Sequence, residues 1–211
     1  MKTLYLKIVP STQLYLKALI QNNKEKAPIA IVANKQTQGI GSRNNSWNSK
    51  EGNLFLSFAL SLESLPKDLK LESASIYFAY ILKETLSAYG SSVFLKWPND
   101  FYIDNSKVGG MITTIVGQTL ICGVGLNLNS EVDDFAKFDV AIDKNDLIKR
   151  YFANLEKRFL WKQVFSKYKL EFHTNKNLFT HNDTTEISLD SAKLEDDGSL
   201  SINGERIYSR R

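Results

Sequence analysis

Cysteine and histidine are almost missing from this chain, which has one of the first and two of the second among 211 residues. Cys122 lies in an apolar strand pattern and has no partner for a disulfide, so a reducing, cytoplasmic setting is expected. Nothing around His173 or His181 suggests a metal site or a catalytic triad. A long hydrophobic run is lacking too. The longest, Leu54 to Leu62, contains serines and is far short of the roughly 20 residues of a membrane span. Met1 to Lys7 is too short and too interrupted by lysine to be a secretory signal. Neither sign of charge dominates, with 27 lysines and arginines against 23 acids and a net charge of +4. That balance could favour a phosphate-bearing ligand or an acidic protein partner. With no basic tract, and no helix-turn-helix pattern before the first strand, neither DNA nor a membrane is an expected partner.

What is present is an ordinary globular composition, 43% hydrophobic and 24% charged, with chain enough for one domain and a small appendage. Thr3 to Val9 reads as a strand, and Ser11 or Thr12 caps a helix marked by Leu14, Ala18 and Leu19. Ile29 to Ala33 is a short buried strand. Residues 34–53 are mostly polar or glycine, and are expected to form a long functional loop. Leu54 to Leu62, apolar on both faces, predicts a central strand, and Glu72 to Tyr89 a helix stopped by Gly90. Val93 to Lys96 and Phe101 to Ile103 are strands around a turn. Gly110 to Val116 and Thr119 to Asn127 form a hairpin through Gly117-Gln118. Helix runs from a cap at Asp143 or Asn145, with interruptions, to about Phe172. From Thr185 the pattern is short strands, with Asp197-Gly198 and Asn203-Gly204 as turns. The division expected is a main domain over 1–178 and a small β-domain over 179–211.

Chemistry concentrates in Lys96-Trp97-Pro98-Asn99-Asp100 and, just beyond it, Lys107-Val108-Gly109-Gly110. Pro98 cannot donate a backbone hydrogen bond, so a turn follows, and the two glycines remove side chains that would keep a ligand from the strand. Lys107 could hold a carboxylate and a phosphoryl group together, cancelling their repulsion, or could be an edge-strand lysine that discourages aggregation. Asp100 could bind magnesium or make an Asx-turn. In Gln36-Thr37-Gln38-Gly39-Ile40-Gly41-Ser42-Arg43 the glycines permit either an anion-binding nest of N–H groups or a plain turn. Trp47 is either a lid over a base or a core residue. Gly123-Val124-Gly125-Leu126-Asn127 ends a strand with close backbone access, or with a β-bulge, and Asn127 carries the donor and acceptor a base edge needs.

The order and spacing of these segments resemble the biotin–protein ligases: Ser11-Thr12-Gln13 opening a helix, Gln36-Thr-x-Gly-x-Gly with Trp47 beyond, KWPND, Lys107-x-Gly-Gly, then Gly-x-Gly-Leu-Asn. The resemblance covers about residues 5 to 130 and is looser in the tail. It implies an α+β fold, a mixed central sheet flanked by helices (class II synthetase-like), with a small C-terminal β-domain. It also implies a ligase using ATP and magnesium that attaches biotin, through biotinyl-5′-AMP, to a lysine of a biotin carboxyl carrier protein. By the same resemblance Ser11, Thr12 and Gln36 hold the ureido ring, Gln13, Gly39, Ile40, Gly41 and Ser42 also belong to the biotin site, and Gly110, Gly123 and Gly125 shape its floor. Lys107 meets the carboxylate and phosphate, while Arg43, Trp47, Asn99 and Asn127 serve the nucleotide. Catalysis falls to Lys107, Arg43 and Asp100, the last either as the candidate magnesium ligand or to activate the incoming amine. A homodimer is possible.

One departure stands out. The family loop usually reads Gly-Arg-Gly-Arg, and here Ile40 and Ser42 occupy the arginine places, leaving Arg43 shifted by one. Either Arg43 reaches the same anion, or the intermediate is held less firmly. Because the chain starts at the catalytic strand, a ligase without the DNA-binding domain of the repressor members is expected. The rivals are a lipoate ligase or octanoyl transferase, whose Arg-x-Ser-Gly-Gly-Gly loop is missing, and a non-catalytic binding module.

Overall fold

The computed structural model describes residues 1–42, 45–129, 135–182 and 185–209. Its centre is a seven-stranded sheet. In chain order the elements are β1 (Lys2–Val9), α1 (Thr12–Gln21), β2 (Ile29–Gln36), β3 (Gly39–Ile40), β4 (Ser46–Trp47), β5 (Leu54–Ser61), α2 (Ala74–Ser87), β6 (Phe94–Lys96), β7 (Asp100–Ile103), β8 (Ser106–Val116), β9 (Thr119–Leu126), α3 (Lys144–Glu156) and α4 (Trp161–Glu171). The tail adds β10 (Phe179–Asn182), β11 (Thr185–Ser188), β12 (Lys193–Leu194), β13 (Leu200–Ile202) and β14 (Glu205–Ile207). The sheet order is β1-β2-β5-β9-β8-β7-β6. Only β1 and β2 run parallel; the other pairs are antiparallel.

Strand alternation divides the core in two. Ile29 and Ile31 of β2, Ala59 of β5 and Ile121 of β9 pack under Leu16 of α1. Their neighbours Ala30, Val32, Phe58, Leu120 and Cys122 turn to the other face, where α2, α3 and α4 lie. Each large aliphatic side chain buried this way contributes about 1.5–3 kcal/mol. Among the described residues no helix is long and apolar enough to cross a membrane.

One expectation needs correction. Residues 34–53 are not one structureless loop: β2 continues to Gln36, and β3 and β4 form a two-residue-deep hairpin pairing Gly39 with Trp47. Strands this short leave no periodicity to read. The C-terminal helical stretch carries the expected interruption, as two helices broken where Arg158 takes φ +48°. The small C-terminal strands are present, and Leu189, Leu194, Leu200, Ile202 and Ile207 join the cluster beneath α2, α3 and α4. Three successive carbonyls of the tail's Asp196-Asp197-Gly198 turn accept hydrogen bonds from Trp161 Nε1 (2.9 Å), Ser73 Oγ (2.6 Å) and Trp97 Nε1 (2.8 Å). The tail thus clasps the back of the Trp97-Pro98 turn. Asn203-Gly204, both at positive φ, turns β13 into β14.

Candidate active site

On the α1 face the side chains dwindle along β9, from Ile121 to Gly123 to Gly125, and a trough opens beyond Leu16. Gln13 lies one helical turn before Leu16 on the same face of α1, which sets its amide over Gly123. A Cβ on Gly123 would come 2.6 Å from Gln13 Oε1, and one on Gly125 would come 2.5 Å from the Trp47 indole. The trough is walled by Ser11, Thr12, Gln13, Gln36, Ile40, Gly41, Ser42, Trp47, Ser57, Asp100, Lys107, Gly110, Met111, Ile112, Gly123, Val124 and Gly125.

One end is a set of buried hydrogen-bonding groups. Ser11 caps α1, its Oγ accepting from Leu14 N at 3.4 Å. Gln36 Oε1 accepts from Thr12 N at 2.8 Å and from Thr12 Oγ1 at 3.1 Å. Ser57 Oγ in turn donates to Thr12 Oγ1 at 2.9 Å. Gln13 Nε2 donates to Ile121 O at 3.3 Å, while its Oε1 is buried with no hydrogen-bond partner among the described residues. A buried orphan acceptor costs about 1–3 kcal/mol unless a ligand donor meets it.

The other end is ionic. Lys107 Nζ pairs with Asp100 Oδ1 at 2.8 Å, and the side chains are only 20% and 18% exposed. A shift in the β7–β8 register aims the lysine. Phe101 faces Gly109, but Tyr102 faces Lys107, so Val108 is an extra residue on β8. That bulge turns Val108 into the α2 core and brings Lys107 to the side of Asp100 and Gly110. Lys107 Nζ also lies 5.6 Å from the Phe135 ring, which stacks near-parallel on Trp47 at 5.8 Å.

The structure therefore gathers most of the residues singled out in the sequence, and leaves three of the described ones outside the wall. Arg43 lies outside the described residues. Gly39 lies behind the wall, where a Cβ would strike Trp47 O at 2.3 Å. Asn99 is fully buried and its amide donates to Met111 O, bracing the turn. Asn127, also fully buried, donates to Ala136 O at 3.2 Å and accepts from Asn53 at 3.3 Å. Both amides bond to backbone or a neighbouring side chain, and neither residue is among those that wall the trough. Gly109 faces away as well, since a Cβ there would meet Leu126 at 2.5 Å and Gly125 O at 2.7 Å. No bulge interrupts β9 against β5 or β8. Sequence reasoning missed Ser57, Met111, Ile112, Val124 and Phe135. Ser57 is the one apparent in retrospect, a hydroxyl on the α1 face of an otherwise apolar strand.

The chain's residues 5–128 match the model of the biotin/lipoate A/B protein ligase family. The chain belongs to that family. The structure of the biotin acetyl coenzyme A carboxylase synthetase from Helicobacter pylori, with bound biotinylated ATP, is similar with a TM-score of 0.94 and 36% identity, covering 98% of this chain and 99% of that one. The biotin protein ligase of Aquifex aeolicus, in complex with biotin and ATP, gives a TM-score of 0.76 at 26% identity, covering 94% and 90%. The bifunctional ligase/repressor BirA of Bacillus spizizenii is 28% identical over 137 residues, 63% of this chain and 42% of that protein. The chain thus spans less than half of the BirA protein it matches.

Proposed function

We propose that this family member joins biotin to a lysine of a biotin carboxyl carrier protein, in two steps through biotinyl-5′-AMP. The carrying observation is the polarity of the inner end. Thr12 N–H commits Gln36 Oε1 as an acceptor, which leaves the Gln36 amide N–H groups as donors, while Gln13 Oε1 is an unmet acceptor. A cyclic urea has one carbonyl to accept and two N–H groups to donate, so it satisfies both. An octanoyl chain or a dithiolane ring would bury these groups unmet, at about 1–3 kcal/mol each.

In the first step a biotin carboxylate oxygen attacks the α-phosphorus of ATP, the bond to the bridging oxygen breaks, and pyrophosphate leaves. Two anions must meet for this. Lys107, held by Asp100 at the trough's outer end, supplies the positive charge that screens them. Trp47 and Phe135 offer an aromatic surface for the base beside it. Magnesium is expected with ATP, and among the described residues no three His, Cys, Asp or Glu side chains gather to hold a metal. Asp100 alone fits an ion whose remaining ligands are phosphate and water oxygens, and bound there it would neutralise triphosphate charge. In the second step a neutral lysine amine attacks the acyl carbon, the carbon–oxygen bond to AMP breaks, and the amine loses a proton. Residues 112–116 of β8 have a sheet neighbour on one side only among the described residues, an edge on which a carrier strand could pair.

The test offers the pure protein radiolabelled biotin and lipoate in parallel with ATP-magnesium. Biotinyl-adenylate is the expected product, and exclusive lipoyl-adenylate would overturn the reading.

A further inference from the structure

Ser57 is fully buried in the middle of β5, opposite Gly123, and belongs to no motif. Its hydroxyl hydrogen-bonds Thr12 Oγ1, and Thr12 Oγ1 bonds Gln36 Oε1. The backbone N–H of Thr12 settles the direction of this chain. It makes Gln36 Oε1 an acceptor, so the single Thr12 hydroxyl proton points to Gln36 and the Thr12 oxygen must accept from Ser57. We propose that Ser57 is a positioning residue for the reaction: through Thr12 it helps to hold Gln36 with its oxygen engaged and its amide nitrogen left as the donor, and so sets which ligand atoms that end accepts. The substrate class follows as a ring with a carbonyl facing Gln36 and an N–H facing Gln13. The inference rests on the biotin reading above and deepens it.

Without the Ser57 donor the Thr12 hydroxyl loses a partner and is held less firmly against Gln36, whose Oε1 then relies mainly on the Thr12 N–H. The loss should fall on the ring-binding end alone, because Lys107 and Trp47 lie at the far end of the trough. The experiment measures steady-state pyrophosphate release by the full chain, varying biotin and ATP separately, for Ser57→Ala, Thr12→Val and the double variant. Ser57→Ala should raise KM for biotin by about five- to tenfold, the scale of one buried hydrogen bond, with KM for ATP and kcat nearly unchanged. Added to Thr12→Val it should do nothing more, since the relay is already cut. An unchanged biotin KM, an equal rise in the ATP KM, or effects that multiply in the double variant would each overturn the proposal. If the alanine variant does not fold, Ser57→Cys, similar in size and a much weaker donor, must show the same selective rise; wild-type behaviour would overturn it. A wild-type protein that consumes no biotin defeats the parent reading as well, whereas an active wild type with an indifferent Ser57→Ala defeats this proposal alone.

Discussion

Adding a single methyl group to the trough floor should separate ligand binding from folding. In Gly123→Ala the new Cβ would lie 2.6 Å from Gln13 Oε1, 3.1 Å from Gln13 Cδ and 3.2 Å from Ile112 Cγ1. The atom that must yield is the free end of a flexible side chain, so the Gln13 amide swings out and the sheet keeps its place. Folding then loses the 3.3 Å bond to Ile121 O, about 1 kcal/mol, and regains about 0.4–1 kcal/mol because alanine has less backbone freedom to lose than glycine. The melting temperature should therefore barely move. Binding loses the acceptor that a ring N–H needs, about 1–3 kcal/mol, or roughly a 5- to 150-fold rise in KM for biotin. Thermal melts and pyrophosphate-release kinetics with each substrate varied provide the assay. Gly109→Ala is the contrast, because its Cβ would strike the backbone oxygen of Gly125 and must push β8 and β9 away from each other. If Gly123→Ala left both the melt and the biotin KM untouched, the placement of Gln13 over a ligand would be wrong.

Other consequences can be checked as directly. Lys107→Ala should slow adenylate formation by about two to three orders of magnitude, the scale for losing a partner to developing charge, and Lys107→Arg should not restore it because the planar fork is not a point charge. Rapid-quench measurement of the adenylate decides this. Trp97→Phe removes the indole donor to Gly198 O in the tail clasp, and should cost about 1–3 kcal/mol in denaturant melts while the chain still unfolds in one transition. Asp68 caps α4 from outside, accepting from Trp161 N and Lys162 N at 2.9 and 3.1 Å. Partial burial pushes its carboxyl up, but those two N–H donors outweigh it and hold the pKa below the ordinary 3.8. A lowered folded-state value means the stabilisation is present above about pH 4 and disappears as pH falls through that lower value. Asp68→Asn should cost about 1 kcal/mol at neutral pH and less in acid, as pH-dependent melts would show.

The sheet, α1, α2 and the chemical end of the site were legible because their signals are local. KWPND fixes a turn, Lys107 follows at a set spacing, and Ser11 caps the helix that carries Thr12 and Gln13. What escaped depends on facing and register. Lys107 reaches Asp100 only through the bulge at Val108, and no spacing rule announces which way a bulged side chain turns. The bonds that Asn99 and Asn127 make to the carbonyls of Met111 and Ala136 were not legible either, because an amide can serve a ligand or a backbone carbonyl. Ser57 was hidden in a strand read as apolar on both faces. The tail's strands were read nearly in place, but not the long-range bonds from Trp97 and Trp161 that join it to the main core.

In the proposed reaction a urea-recognising pocket and the Lys107–Asp100 pair together activate biotin for transfer to a protein amine. Mass spectrometry of a biotin carboxyl carrier domain, after incubation with this chain, ATP-magnesium and an equimolar mixture of biotin and lipoate, tests it most directly. The account predicts the mass of one biotinyl group, lost water included, on a single lysine, and no lipoyl adduct. A lipoyl adduct, or an unmodified carrier in the presence of biotin and ATP, would contradict it.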